Sequence, residues 1–434
     1  MTPRFFYFLA AIAFVFVVGF LFPPIALIAR IGVGVLALLV IADLVMLYRG
    51  GSIDASRQME DRLSNGDENE IRLTLTNHYR FDIHARVLDE LPVQLQVRDL
   101  DLATTIPPES AAEARYSVRP VTRGEYSFGV INVLASGPIG LAQRRFRAGA
   151  GHVVPVYPSY IQMRKYELLA ISNRLVEVGV KRVRRVGSTM EFDQIREYVS
   201  GDDYRTVNWR ATARRNTFMV NQYMDERSQQ VFCVIDKGRA MKMPFAGMTL
   251  LDYAINTSLV IANIAIHKQD RAGLVTFGKR IDTYIAPDRR RLQMRRIVEA
   301  LYHQKTEFLE SDFEALYAHV RHSITTRSLL LVFTNFETLS GMERRLKSRR
   351  AKARQHHRVV VFFENTELRQ LLDTPASSTE QIYLKAIAEK LALEKKQIVK
   401  ELSIHGIHSI LTAPENLTVD TINKYLELKS RRMI

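Results

Sequence analysis

The sequence predicts a multidomain chain: a transmembrane helix hairpin over residues 1–50, an all-β sandwich over 70–160, and an α/β domain with a Rossmann-like sheet over 230–434. A linker at 51–69 and a charged block at 161–229 join them. Three observations carry this reading. The chain opens with two apolar runs on either side of Pro23-Pro24; short runs of period two follow, broken by frequent turns; and the C-terminal half alternates β-type runs with amphipathic segments. At 434 residues the chain is long enough for more than one core.

Residues 5–22 form an uninterrupted apolar run, and residues 25–48 form a second, broken only by Arg30 and Asp43. About 20 apolar residues cross a bilayer core, so each run is long enough to span. A cleaved signal peptide is the competing reading of the first run, but the second follows at once, without a small-residue cleavage site or a polar start. Arg4 precedes the pair and Arg49, Arg57 and Arg62 follow it, whereas the Pro-Pro turn carries no charge. Positive flanks of this kind place both ends in the cytoplasm, in a two-pass protein of the inner membrane. Arg30 can snorkel from near the outer end of the second helix, and Asp43 lies near the inner end.

Residues 52–68 are polar and rich in turn formers, and read as a linker. Strands are expected in IRLTLTN, HARVLD, VQLQVR, ARYSVRP, YSFGVINVLA and HVVPVYP, the pattern of a small sandwich. A helix then leads to the basic run Lys181-Arg182-Val183-Arg184-Arg185, read as a solvated connector.

Residues 187–227 are dense in charge yet hold the only Trp of the chain, Trp209, together with Tyr198, Tyr204, Phe218 and Tyr223. Asp202, Asp203, Arg205 and Arg210 alternate in sign, which suggests a polar network folded onto a neighbour. Next come the apolar run VFCVID ending at Asp236, a small-residue turn and a long amphipathic segment, giving strand, loop and helix. Ligands of open parallel sheets are met at the carboxyl ends of strands, so Asp236 stands at the expected working edge. Further strands are read in AGLVTFG, IDTYIAP, SLLLVFTNF, HRVVVFFE and IHSILTA, with helices over 291–302, 312–321, 342–354, 380–402 and from 418.

The block EFDQIREYVSGDDYRTVNWRATAR and the following VIDKGRAM resemble the signature of the bacterial domain of unknown function 58 proteins. PVTRGEYSFG, SGPIGL and VYP upstream resemble the same family's pattern. The resemblance implies a von Willebrand factor type A-like domain at 230–434 and an adaptor role beside a MoxR-type AAA+ ATPase. It marks Arg196, Tyr198, Gly201, Asp202, Arg205, Asn208, Trp209, Arg214, Asp236 and Arg239 as signature or interaction residues. Von Willebrand A domains often hold Mg²⁺ at an Asp-x-Ser-x-Ser turn. Here that turn reads Asp236-Lys237-Gly238-Arg239-Ala240, without the hydroxyls, which leaves Asp236, Thr334 and Ser311 or Asp312 as oxygen donors. Lys237 and Arg239 add positive charge that would oppose a dication. No metal or other cofactor is therefore expected. The edge is expected to bind acidic groups of a protein, or Asp236 to pair with Arg239 or with an arginine of the signature block.

Catalytic chemistry finds little support. Asp202 and Asp203 are adjacent carboxylates without a histidine, and are read as caps for a helical turn carrying Arg205 and Trp209. The pairs His319/His322, His356/His357 and His405/His408 lack further ligands at zinc spacing. No phosphate-binding Gly-rich loop, nucleophile elbow or HExxH motif occurs. The net charge of +15 includes two basic helices, at 288–296 and 342–354, without stacking aromatics; they suit an anionic bilayer better than nucleic acid. Cys233, the single cysteine, cannot form an internal disulfide. The function expected is a membrane-anchored protein-interaction module serving client proteins of the envelope. The alternatives are an enzyme acting on an envelope precursor through the signature block, and a membrane-associated nucleic-acid binder.

Overall fold

The computed structural model describes residues 1–97, 100–171, 190–225, 228–336, 339, 341–342, 356–375, 378–431 and 433. They divide into two compact units, Met1–Tyr157 and Pro158–Ile434.

The first unit begins with two helices, α1 (Pro3–Leu21) and α2 (Pro23–Arg49), each long and apolar enough to cross a membrane. Proline at the start of each supplies the helical φ where no backbone N–H is needed. Ten strands follow: β1 (Ile53–Gln58), β2 (Leu63–Ser64), β3 (Asn69–Asn77), β4 (Ile83–Asp89), β5 (Leu102–Ile106), β6 (Ala111–Val118), β7 (Gly124–Phe128), β8 (Ile131–Ser136), β9 (Arg144–Ala148) and β10 (His152–Tyr157). They make three sheets, ordered β1-β3-β6, β2-β10-β7 and β5-β4-β8-β9. In β3 and β4 every second side chain is buried, and these side chains meet in one core with those of β1, β7, β8 and β10.

Three expectations need correction in this unit. Residues 53–58 are not linker: β1 pairs with β3 from Ile53 opposite Asn77 to Gln58 opposite Arg72, so the β region starts at the foot of α2. VQLQVR does not extend as a strand. Val93–Leu95 form a 3₁₀ turn after Pro92, closed by Gln96 at φ +55°, while the neglected LATTI forms β5. Arg57 is not a free juxtamembrane charge, since it is buried in an ion pair with Asp89, which also accepts from the Tyr116 hydroxyl. Burial, with Asp89 beside it, pushes the Tyr116 phenol up.

Asp43 does more than stand near a membrane face. It is fully buried, and its Oδ2 accepts the N–H groups of Leu141 (2.8 Å) and Ala142 (2.7 Å) in the β8–β9 loop. Tyr79 donates to the carbonyl of Leu47 at 2.6 Å, and Arg144 donates to the same oxygen at 2.7 Å. The last turns of α2 are thus pinned to the sheets by groups that would be costly to bury unpaired.

The second unit contains α3 (Tyr160–Ile171), β11 (Met190–Glu197), α4 (Trp209–Arg215) and β12 (Met219–Asp225), then β13 (Gln230–Asp236), the short pair β14 (Pro244–Phe245) and β15 (Met248–Thr249), and α5 (Leu250–His267). It continues with β16 (Arg271–Phe277), β17 (Ile281–Asp288), α6 (Arg291–Tyr302), α7 (Phe313–Ser323), β18 (Ser328–Phe333), β19 (His357–Phe363), α8 (Thr366–Asp373), α9 (Thr379–Ile404), β20 (His408–Thr412) and α10 (Leu417–Ser430). Six strands form one sheet in the order β17-β16-β13-β18-β19-β20; all neighbours are parallel except the antiparallel edge strand β17. The inner strands read as continuous apolar runs because both faces are covered.

A Thr249–Asp252 capping box starts α5. This helix is also long and apolar enough to span a membrane, but 83% of it lies inside the core. The basic run 181–185 and almost all of the expected basic helix 342–354 lie outside the described residues. In α6 the buried positions are Gln293, Ile297 and Leu301, which leaves its arginines on the solvated side.

Candidate functional site

The central strand β13 delivers Asp236 to the carboxyl edge of the sheet, where the side chain is buried. Its Oδ1 accepts the Gly238 N–H at 2.8 Å and the Ser311 hydroxyl, and its Oδ2 accepts the Thr334 hydroxyl at 2.6 Å. Thr334 follows β18 directly. Ser311 precedes Asp312, which caps α7 by accepting from Glu314 and Ala315. Three loops from separate parts of the sequence therefore close on one carboxylate, held by neutral donors. Among the described residues no arginine pairs with Asp236, contrary to the pairing expected with Arg239 or the signature block.

Gly238 is required by this closure. A Cβ there would lie 2.0 Å from Ser311 Oγ and 3.1 Å from the Leu309 carbonyl oxygen. The Arg239 N–H donates to that same carbonyl at 3.0 Å, which orders the backbone of the turn. Lys237 does not add free charge to the edge as expected: its ammonium pairs with Asp282 at 2.5 Å and donates to the Lys305 carbonyl at 2.9 Å. Arg239 is exposed and forms no ion pair among the described residues. It stands on a cleft of about 520 Å³, together with Phe308, Leu309, Glu310 and Asn335. Lys242 lies 6.0 Å over the Phe308 ring, and Lys395 donates to Asn335 Oδ1 at 2.9 Å. Phe308, Lys395 and the Lys237–Asp282 pair had no signal in the sequence, because each reaches the edge from a distant loop or helix.

As a cation site the constellation is poor. The sequence candidates Asp236, Ser311 and Thr334 do converge, but the hydroxyls donate to the carboxylate, and the turn positions that would complete an oxygen set are Gly238 and Ala240. No group of three or more His, Cys, Asp or Glu that could hold a metal occurs among the described residues.

The signature residues from Arg196 to Arg214 form a separate feature, and unlike Asp236 and Arg239 none of them lines the cleft. β11 and β12 are an antiparallel pair, with a bulge at Phe192/Gln194. Arg196 pairs with Asp202 at 2.6 Å, and the Val199 N–H donates to Asp202 at 2.9 Å. These donors, the Arg196 guanidinium first, hold the Asp202 carboxyl below the usual carboxylate range. Gly201 takes φ +111°, a region that favours glycine. Arg205 and Trp209 do not share a turn. Asp203 caps the 3₁₀ turn Tyr204–Thr206, and Asn208 caps α4 by accepting from Ala211 while donating to Asn221 at 2.8 Å.

The block is not the buried network expected. Trp209 is 69% exposed, Phe218 60% and Tyr204 72%. It forms its own two-stranded ribbon, and a ribbon has too little interior to enclose three aromatic rings. Arg214 stands exposed in the last turn of α4.

Likeness to solved structures is slight. The ASH/PapD-like domain of human CEP192 matches at 13% identity and a TM-score of 0.20, over 25% of this chain and 88% of that one. The CARDB domain of the PF1109 protein from Pyrococcus furiosus matches at 12% identity and a TM-score of 0.20, over 26% and 97%. Scores this low bear on neither fold nor function. The uncharacterized protein YeaD of Bacillus subtilis (strain 168) is 24% identical over 247 residues, which are 55% of this chain and 59% of that protein. The model of the family described as protein of unknown function DUF58 matches residues 194–369, from within β11 of the signature ribbon to within α8.

Proposed function

We propose that this chain is a membrane-anchored protein-interaction module whose C-terminal unit, read as a von Willebrand A-like domain, docks a partner at the cleft beside Asp236. The observation that carries the reading is the exposed Arg239, without an ion pair among the described residues, on a turn whose backbone is fixed by the buried Asp236–Ser311–Thr334 contacts. A guanidinium held on an ordered turn recognises a partner carboxylate at little entropic cost. Phe308 and Leu309 supply apolar contact around it.

The partner in this reading is a MoxR-type AAA+ ATPase, and the role is that of an adaptor in assembly or maturation of client proteins at the bacterial envelope. The two apolar helices cross the inner membrane as a hairpin. Arg4, Arg49 and Arg62 flank it, and both soluble regions face the cytoplasm.

Affinity purification from detergent-solubilised membranes of the native host, with ATP or a non-hydrolysable analogue, tests the reading. The wild type should retain an AAA+ ATPase in a nucleotide-dependent way, and Arg239→Glu should lose it. An ATPase absent from the wild type, or retained equally by Arg239→Glu, overturns the proposal.

A further inference from the structure

The signature ribbon carries a face that the described residues leave exposed and the cleft does not use. The Phe218 ring lies edge-on between Tyr198 and Trp209, 6.4 Å from each. Tyr198, Val199, Tyr204, Trp209 and Phe218 are all exposed. Arg205 lies 5.7 Å over the Tyr204 ring, and Arg210, Arg214 and Arg215 share α4 with Trp209; all four are exposed and without an ion pair among the described residues. The acids of residues 194–219 are Glu197, Asp202 and Asp203. Asp202 is committed to Arg196, and Asp203 to capping the turn at Arg205. Within residues 194–219, Glu197 is then the one acid left to oppose four arginines that form no ion pair among the described residues.

We infer that this aromatic and arginine face is a second docking surface, and that its occupant is an acidic protein segment with interspersed apolar side chains. The rings are ordered before binding. Asn208 caps α4 and ties it to β12 through Asn221, and the Tyr198 N–H donates to the Phe218 carbonyl at 2.8 Å, so ring burial needs little further ordering. Exposed Trp and Tyr beside Arg are the residue types that dominate protein–protein binding energy. The charge argues for carboxylates over a bilayer surface. Residues 194–219 hold five arginines and no lysine, whereas a surface potential attracts either equally. The guanidinium fork matches the paired oxygens of a carboxylate.

Trp209, the only tryptophan, makes the face its own reporter. The full chain is placed in nanodiscs of zwitterionic lipid and its tryptophan emission followed while a random glutamate–tyrosine copolymer is added. The expected result is a saturable blue shift, with affinity lowered at least ~10-fold in Arg214→Glu/Arg215→Glu and unchanged in the cleft variant Arg239→Glu. Equal rates of Cys233 labelling in wild type and double variant check that the unit stays folded. A shift that the double variant leaves unaltered overturns the inference. So does a shift produced by anionic nanodiscs without copolymer, or an equal affinity for oligothymidylate. Loss of the ATPase in Arg239→Glu, with copolymer binding retained, would separate the two surfaces.

Discussion

Replacing Thr334 by valine removes one hydroxyl from the carboxylate at the sheet edge with almost no change in shape. Thr334 is fully buried and is the donor to Asp236 Oδ2, at 2.6 Å. A hydrogen bond to a buried charged group contributes about 1.5–3 kcal/mol. Cys233 offers a local assay, being the only cysteine, buried, and three residues before Asp236 in β13. Labelling of this thiol requires the sheet to open, so under fast reclosing its rate follows the opening equilibrium. At 1.4 kcal/mol per factor of ten, Thr334→Val should label about 10- to 150-fold faster than wild type. Thr334→Ser, which keeps the hydroxyl, should stay much closer to wild type. A Thr334→Val rate within threefold of wild type would refute the reasoning, since Asp236 would then draw its support from elsewhere.

Gly238→Ala places a methyl 2.0 Å from Ser311 Oγ and should break the same closure; Cys233 labelling should accelerate and the Arg239-dependent partner should be lost. Asp89→Asn leaves the buried Arg57 without its counter-charge and should destabilise the first unit by about 3–5 kcal/mol, read as a lowered thermal midpoint of the β-rich unit by hydrogen exchange. Burial pushes the Cys233 thiol up from 9 to about 12. A folded pKa raised above the unfolded value gives stability that is complete below pH ~9 and lost as pH rises toward ~12. Denaturation curves from pH 7 to 11 should show this loss, and Cys233→Ala should remove it.

Much of the chain was legible because local pattern and tertiary environment agree. The apolar runs around Pro23-Pro24 admit only long helices, and β13, β18 and β19 are apolar on both faces because helices cover both sides of their sheet. The polar strand β1 was read as linker for the opposite reason. Only alternate residues of IDASRQ turn inward, and Arg57 among the inward or half-buried positions is neutralised by Asp89, 32 residues away. A buried charge looks like a surface charge until its partner is placed.

By itself the sequence determined the two spanning-length helices, the alternation of strands and helices after residue 230, the arrival of Asp236 at a strand end and the density of aromatics and arginines in the signature block. Tertiary structure alone decided what those groups do. It brought Ser311 and Thr334, 75 and 98 residues from Asp236, onto one carboxylate and turned Lys237 away to Asp282, leaving Arg239 as the exposed cation of the turn. It also placed Trp209, Tyr198 and Phe218 outward on a ribbon too thin to bury them. Periodicity reports which local face is apolar. Whether a distant loop arrives to cover that face, or to satisfy a buried charge, depends on the closing of the whole chain, and no local pattern records it.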